Sequence, residues 1–232
     1  MQGFQRLNRV PRVVARVLRE LDRAGLHDSF TVIGTQALYA YEAAGGAHFL
    51  LELLASGDVD LLDDARQKMT VVTGKLDGQG LLGLLKKADK TFEYVRENGY
   101  RAANAGQFMV DLLLAPGGIQ DSKSITLAES DGVATEVPGL QCLFNSPKLN
   151  AVAIDEDGWP VSMRVPDTPA FALHKVWLSA LPGREPIKKA RDLEQAQAVA
   201  KLVQAEMPHL SIGTTLTSLH GDVRKLRPLL DI

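Results

Sequence analysis

Phe30-Thr31-Val32-Ile33-Gly34-Thr35, then Asp58-Val59-Asp60, then Phe108-Met109-Val110-Asp111-Leu112-Leu113-Leu114 are the stretches whose joint reading decides the fold. Phe30 to Ile33 is a β-branched, apolar run of the kind that forms a buried strand. It stops at Gly34, which has no Cβ and lets the backbone approach another group closely. Beyond Thr35, the run Gln36-Ala37-Leu38-Tyr39-Ala40-Tyr41-Glu42-Ala43-Ala44 is rich in helix formers. The unit therefore reads strand, tight turn, helix. The free N–H groups and the dipole at such a helix start favour an anion such as phosphate, although a Gly-Thr turn alone is common in purely structural roles.

The second stretch is more telling. Residues i and i+2 of a strand share a face, so Asp58 and Asp60 project together while Val59 points into the core. Adjacent carboxylates repel unless a cation lies between them, and Mg²⁺ commonly takes one or two carboxylates together with substrate phosphates. An isolated D-x-D is more often a polar strand end. Asp111 changes that balance, because a carboxylate inside so apolar a run is costly unless paired, coordinated or at the sheet end. On a strand beside Asp58 and Asp60 it would supply a third ligand or a general base. Asp63-Asp64 reads instead as the acidic start of a helix.

Taken together, these motifs resemble the DNA polymerase β-type nucleotidyltransferase superfamily, and within it the stand-alone bacterial nucleotidyltransferase-fold proteins. The resemblance rests on Val32 to Glu42, Asp58-Val59-Asp60-Leu61-Leu62, Val110-Asp111-Leu112-Leu113 and His174-Lys175-Val176-Trp177-Leu178. Arg184, Lys188, Arg191-Asp192-Leu193 and Gln195-Ala196 complete it. It implies an α+β fold, a mixed β-sheet flanked by helices and followed by a helical C-terminal lobe. It also implies that Gly34 and Thr35 contact the tail of a nucleoside triphosphate, with Lys175, Arg184 and Lys188 lining the nucleotide cleft. Asp58, Asp60 and Asp111 would be the catalytic and metal residues, ligating two Mg²⁺ ions that flank an in-line displacement. The expected reaction moves a nucleoside monophosphate from an NTP to a hydroxyl of an RNA, a protein or a small molecule. A toxin–antitoxin or defence role is plausible by analogy. The alternatives are a catalytically silent nucleotide-binding regulator and an antitoxin-like interaction protein.

Composition agrees with an ordinary globular enzyme. The chain has 232 residues, 45% hydrophobic and 23% charged, enough for a sizeable core. No apolar run approaches the ~20 residues that span a bilayer, and no secretory signal is evident, so a cytoplasmic location without membrane association is expected. Cys142 is the single cysteine, which excludes an internal disulfide and a cysteine-rich zinc site. A net charge of −2 argues against a broad nucleic-acid-binding surface.

Outward from the central motifs, residues 10–26 predict a packing helix ended by Gly25, with its arginines on a solvated face. Residues 81–97 predict a second helix, and 101–114 lead into the Asp111 strand, which Pro116-Gly117-Gly118 ends. Residues 151–165 predict a β-hairpin whose acidic turn, Asp155-Glu156-Asp157-Gly158, lacks the spacing of a calcium loop. Pro166 and Pro169 mark a boundary, so the expected division is 1–166 for the α/β domain and 167–232 for the helical lobe. His174 and Trp177 read as packing residues, and Lys189 and Arg191 as a solvated face paired with Asp192 and Glu194.

Overall fold

The computed structural model describes residues 8–63, 80–97, 99–115, 134–137, 139–218 and 224–231. Its central sheet is built from β2 (Phe30–Ile33), β3 (Asp58–Asp63), β4 (Glu93–Tyr94), β5 (Arg101–Ala103), β6 (Met109–Leu114) and β7 (Thr135–Glu136). The order is β2-β3-β6-β5-β4, with β7 beside the end of β6. β3 and β6 run parallel and every other neighbour on that path is antiparallel, so the sheet is mixed, as expected. A second, three-stranded sheet joins β1 (Asn8–Val10) to the hairpin of β8 (Lys148–Asp155) and β9 (Pro160–Pro166).

Period-two alternation divides the central sheet into two faces. Val59 and Leu61 of β3 and Val110 and Leu112 of β6 enter the main core, with Val14 and Leu18 of α1 (Arg12–Arg23) and Leu38 of α2 (Ala37–Gly45). Leu62 and Leu113, from the other face, join a smaller cluster with Ile33, Leu140 and Leu143. Asp58, Asp60 and Asp111 share the periodicity of this second face. The short helices α3 (Leu51–Leu54) and α5 (Gln141–Asn145) give Leu54 to the main core and Leu143 to the smaller cluster. The main core also takes in Phe171 and Leu173 of α6 (Thr168–Ala180) and Val199 of α7 (Pro186–Glu206), so buried apolar contact is continuous across residue 166.

Several boundaries differ from the sequence-based expectation. Residues 81–97 are not one helix: α4 spans Gly80–Ala88, and β4 follows. Asp89 ends α4 by accepting from the backbone N–H and the hydroxyl of Thr91 at 3.0 and 2.7 Å, an Asx-type turn that competes with helix. Asp63 is the buried last residue of β3 and not a helix start; Asp64 and Pro116-Gly117-Gly118 lie outside the described residues. By contrast, α1 ends where expected. Gly25, at φ +72°, sits in a Schellman arrangement with Leu26 N–H on Leu21 O at 2.9 Å and Gly25 N–H on Asp22 O at 2.8 Å.

The predicted hairpin is present, and its acidic turn is a structural anchor. One oxygen of Asp155 accepts the backbone N–H groups of Asp157 and Trp159, each at 2.9 Å, and the other receives Arg19 at 2.8 Å. Arg12 pairs with Asp157 at 2.7 Å. Two of the α1 arginines therefore bind the hairpin turn instead of standing free in solvent. Among the described residues, no helix is long and apolar enough to cross a membrane.

Candidate active site

Register places three side chains in one row across the sheet. Asp60 on β3 is the Cα partner of Asp111 on β6, and Asp111 is in turn the partner of Arg101 on β5. The row begins beside the end of β2, where Ile33 faces Asp60. Gly34 follows at φ +67°, and a Cβ built on it would overlap Oδ2 of Asp60. The glycine is therefore required twice, by its left-handed backbone and by the carboxylate packed against it. Gln36 holds the neighbouring level by donating to the backbone carbonyl of Asp58 at 3.0 Å, and the hydroxyl of Ser56 donates to Oδ1 of Asp58.

The two strand carboxylates at the row's level have different partners. Asp111 is chelated by Arg101, with Nε on Oδ1 at 2.7 Å and Nη2 on Oδ2 at 2.6 Å, a bidentate fork of the strong, charge-assisted kind. Among the described residues, Asp60 has no such partner. Burial, together with the charges of Asp58 and Asp111, pushes its carboxyl up to about 7, against the opposing pull of Lys175 and Arg101. The crowding of like charge on an oxygen-only donor set suits a hard divalent cation. Among the described residues, however, no three His, Cys, Asp or Glu side chains are gathered closely enough to hold one ion by themselves. The donor set thus fits an ion that takes a carboxylate pair and completes its shell from substrate and water.

Facing the sheet, α6 and the turn between α6 and α7 present positive charge. Lys175 is buried and donates to Asp192 Oδ1 at 2.8 Å, while Arg184 reaches Oδ2 of the same residue through Nε at 2.9 Å and Nη2 at 2.8 Å. Burial lowers the Lys175 ammonium pKa, and Asp192 works against that shift. Between the sheet and these cations lies a cavity of about 260 Å³. Gly34, Asp60, Asp111, Lys175 and Arg184 line its charged side, and Ile33, Leu113, Val137, Leu140 and Leu178 its apolar side. Tyr100, Thr135 and His174 also face it. Burial, then the nearby Lys175 charge, lowers His174 to about 3, so the ring is neutral at physiological pH and is unsuited to act as a general base there.

The nucleotidyltransferase family model matches residues 12–219 of the chain. The chain belongs to the nucleotidyltransferase family. That span contains every site residue described above, and a nucleotidyltransferase is an enzyme that moves a nucleotidyl group. No curated protein and no solved structure matches the chain.

The residues expected from the sequence fall into two groups in this nucleotidyltransferase. Gly34, Asp60, Asp111, Lys175 and Arg184 meet at the cavity, and Asp58 shares the strand face of Asp60 one repeat away. Thr35 and Lys188 are placed elsewhere. The Thr35 hydroxyl is buried and accepts from Gln195 Nε2 at 3.2 Å. Lys188 is exposed and pairs with Glu185 at 2.7 Å, outside the cavity lining. Asp192, expected on a solvated face with Lys189 and Arg191, is instead buried and bridges the two cavity cations, while Arg191 donates to Ala55 O at 3.1 Å.

Arg101 and Tyr100 are site residues that the sequence reading missed. The available signal was Asn104-Ala105-Gly106-Gln107, a turn cluster that breaks residues 101–114 into a hairpin. Asn104 caps it by accepting from Phe108 N–H at 2.9 Å. Antiparallel pairing through that turn is what brings Arg101 opposite Asp111.

Proposed function

We propose that this nucleotidyltransferase transfers a nucleoside monophosphate from an NTP to a hydroxyl acceptor with the help of Mg²⁺, releasing pyrophosphate. The observation that carries the reading is the opposition of Asp60, and Asp58 on the same strand face, to Lys175 and Arg184 across one cavity. Carboxylates on one wall suit a divalent cation, and cations on the other suit the phosphate oxygens of the nucleotide. Asp58 and Asp60 would hold the metal, which would neutralise phosphate charge where it accumulates during displacement.

The chain's own groups supply position and charge. Gly34 leaves room for Asp60 and keeps the turn open toward the cavity. Arg184 can share its fork between Asp192 and a phosphate oxygen, and Lys175 adds a point charge. In phosphoryl chemistry of this type, positioning and electrostatic stabilisation supply most of the rate. The apolar side of the cavity, from Leu113 to Leu178, suits the nucleoside. The acceptor hydroxyl belongs to an RNA, a protein side chain or a small molecule, and a toxin–antitoxin or defence role accommodates each of these.

The test is incubation with each α-labelled NTP, Mg²⁺ and a mixture of cellular RNA and protein, beside the Asp58→Ala/Asp60→Ala variant. Label transferred by the intact chain and not by the variant is the expected result, and the labelled fraction identifies the acceptor class. Label that transfers equally with the variant would overturn the assignment of Asp58 and Asp60.

A further inference from the structure

We infer that Arg101 occupies the position of a second metal ion, so that the site works with a single divalent cation held at Asp58 and Asp60. This inference rests on the metal-assisted reading above and refines it. Three-carboxylate sites hold two ions when the third carboxylate is free to share them. Here Asp111 is not free. Both of its oxygens are taken by the Arg101 fork at 2.7 and 2.6 Å, and its side chain is only 6% exposed.

The pairing is built into the sheet and is not an accident of a flexible side chain. Arg101 and Asp111 are direct cross-strand partners on antiparallel strands, and Leu112 N–H donates to Tyr100 O at 2.8 Å beside them. The Tyr100 ring lies 5.6 Å from the guanidinium carbon, within cation–π range. The fork is thus fixed by its backbone, by its carboxylate partner and by an aromatic face. A permanently charged guanidinium at Asp111 supplies the positive charge that a second ion would bring, and it repels any dication approaching the same oxygens. Among the described residues, no guanidinium or ammonium chelates Asp58 or Asp60 as Arg101 chelates Asp111, which leaves the carboxylate pair on β3 to the ion. Arg101 is therefore a positioning residue. It holds Asp111 in place and completes the charge of the site without touching the reacting atoms.

The test counts ions directly. The wild-type chain is saturated with non-hydrolysable α,β-methylene analogues of ATP, CTP, GTP and UTP, each in turn. Bound Mn²⁺ is then counted by native mass spectrometry and examined by electron paramagnetic resonance. The expected wild-type result is one Mn²⁺ per chain with a mononuclear spectrum, and Asp111→Asn should leave that count at one. Arg101→Gln should admit a second ion and give the spin-coupled spectrum of a dinuclear pair, while Arg101→Lys should keep the count at one. Two ions on the wild-type chain, or loss of the ion in Asp111→Asn, would overturn the inference and leave metal-assisted transfer standing. No bound ion on the wild-type chain with any analogue would overturn metal-assisted transfer itself, and this inference with it. If Arg101→Gln does not fold, the wild-type and Asp111→Asn counts decide the question.

Discussion

At the scale of single residues, the site depends on positions where one atom more or one charge less has nowhere to go. Gly34 is the sharpest case. Alanine there must adopt φ +67° and displace the Oδ2 of Asp60, so Gly34→Ala should lower kcat/KM by roughly 100-fold, the scale expected when a catalytic group shifts by about an ångström. Steady-state nucleotidyl transfer measures this, with circular dichroism confirming a folded chain. Asp192 offers a stability counterpart. Asp192→Ala would leave the buried Lys175 ammonium unpaired and free Arg184 as well, and should cost about 3–5 kcal/mol in denaturant unfolding. Adding Lys175→Met should recover part of that loss, since the buried charge is then removed too. The sequence singled out Asp111 because a carboxylate conflicts with so apolar a run, and Asp58 and Asp60 because their spacing puts them on one strand face; Lys175 came only from the family resemblance. The sequence concealed the partners. Asp192 lies 17 positions from Lys175, and no helical or strand period links two residues that meet only when α6 packs on α7.

At the scale of elements, short-range signals were legible where one turn motif dominated and misleading where two competed. Gly25 ended α1 and Pro166 ended the hairpin as read, but the Asx turn at Asp89 and the capped turn at Asn104 cut two apparently continuous segments into four. The hairpin turn at 155–158 gives a quantitative test. Burial alone would raise the Asp155 pKa, yet the Trp159 N–H, Arg19 and the Asp157 N–H together lower it below its ordinary value. A carboxyl depressed in the folded state stabilises fully above its unfolded pKa of about 3.9, and that contribution is lost as pH falls through the lower folded value. Asp155→Asn should therefore cost about 2 kcal/mol at neutral pH, the scale of a hydrogen bond to a charged group. The difference between variant and wild type should begin to shrink as pH falls below about 3.9, where Asp155 of the unfolded chain protonates, and keep shrinking toward the lower folded value. Urea unfolding at pH 7 and pH 3 separates the two regimes. An equal difference at both values would mean that the turn is held by shape and not by the ionised carboxylate.

At the scale of the whole molecule, the cavity exists because the cationic helices are fastened to the carboxylate-bearing sheet. Gln195 of α7 is a central fastening: its Nε2 donates to Leu53 O at 2.7 Å and lies 3.2 Å from the Thr35 hydroxyl, directly after the Gly34 turn. Arg191 adds a second tie at Ala55 O. The Thr35 hydroxyl, which the family resemblance set against the triphosphate tail, instead serves the geometry of the site by receiving the helical lobe. Such a role depends on tertiary assembly, which explains why a local motif could not announce it. Gln195→Ala should strand the Leu53 carbonyl in the core, costing about 1–3 kcal/mol, and should let Lys175 and Arg184 drift from Asp60. Activity should then fall more than stability implies, with kcat/KM reduced even well below the melting temperature. Lys188→Ala is the matched control on the same helix. Its ammonium is exposed and, among the described residues, pairs with the equally exposed Glu185, a surface contact that solvent and salt screen, so kcat/KM should stay within about twofold of wild type. Side-by-side kinetics at a temperature where both variants are fully folded decide the matter. A Lys188→Ala loss as large as that of Gln195→Ala would move the nucleotide outward, toward the exposed start of α7, and away from the cavity beside Gly34.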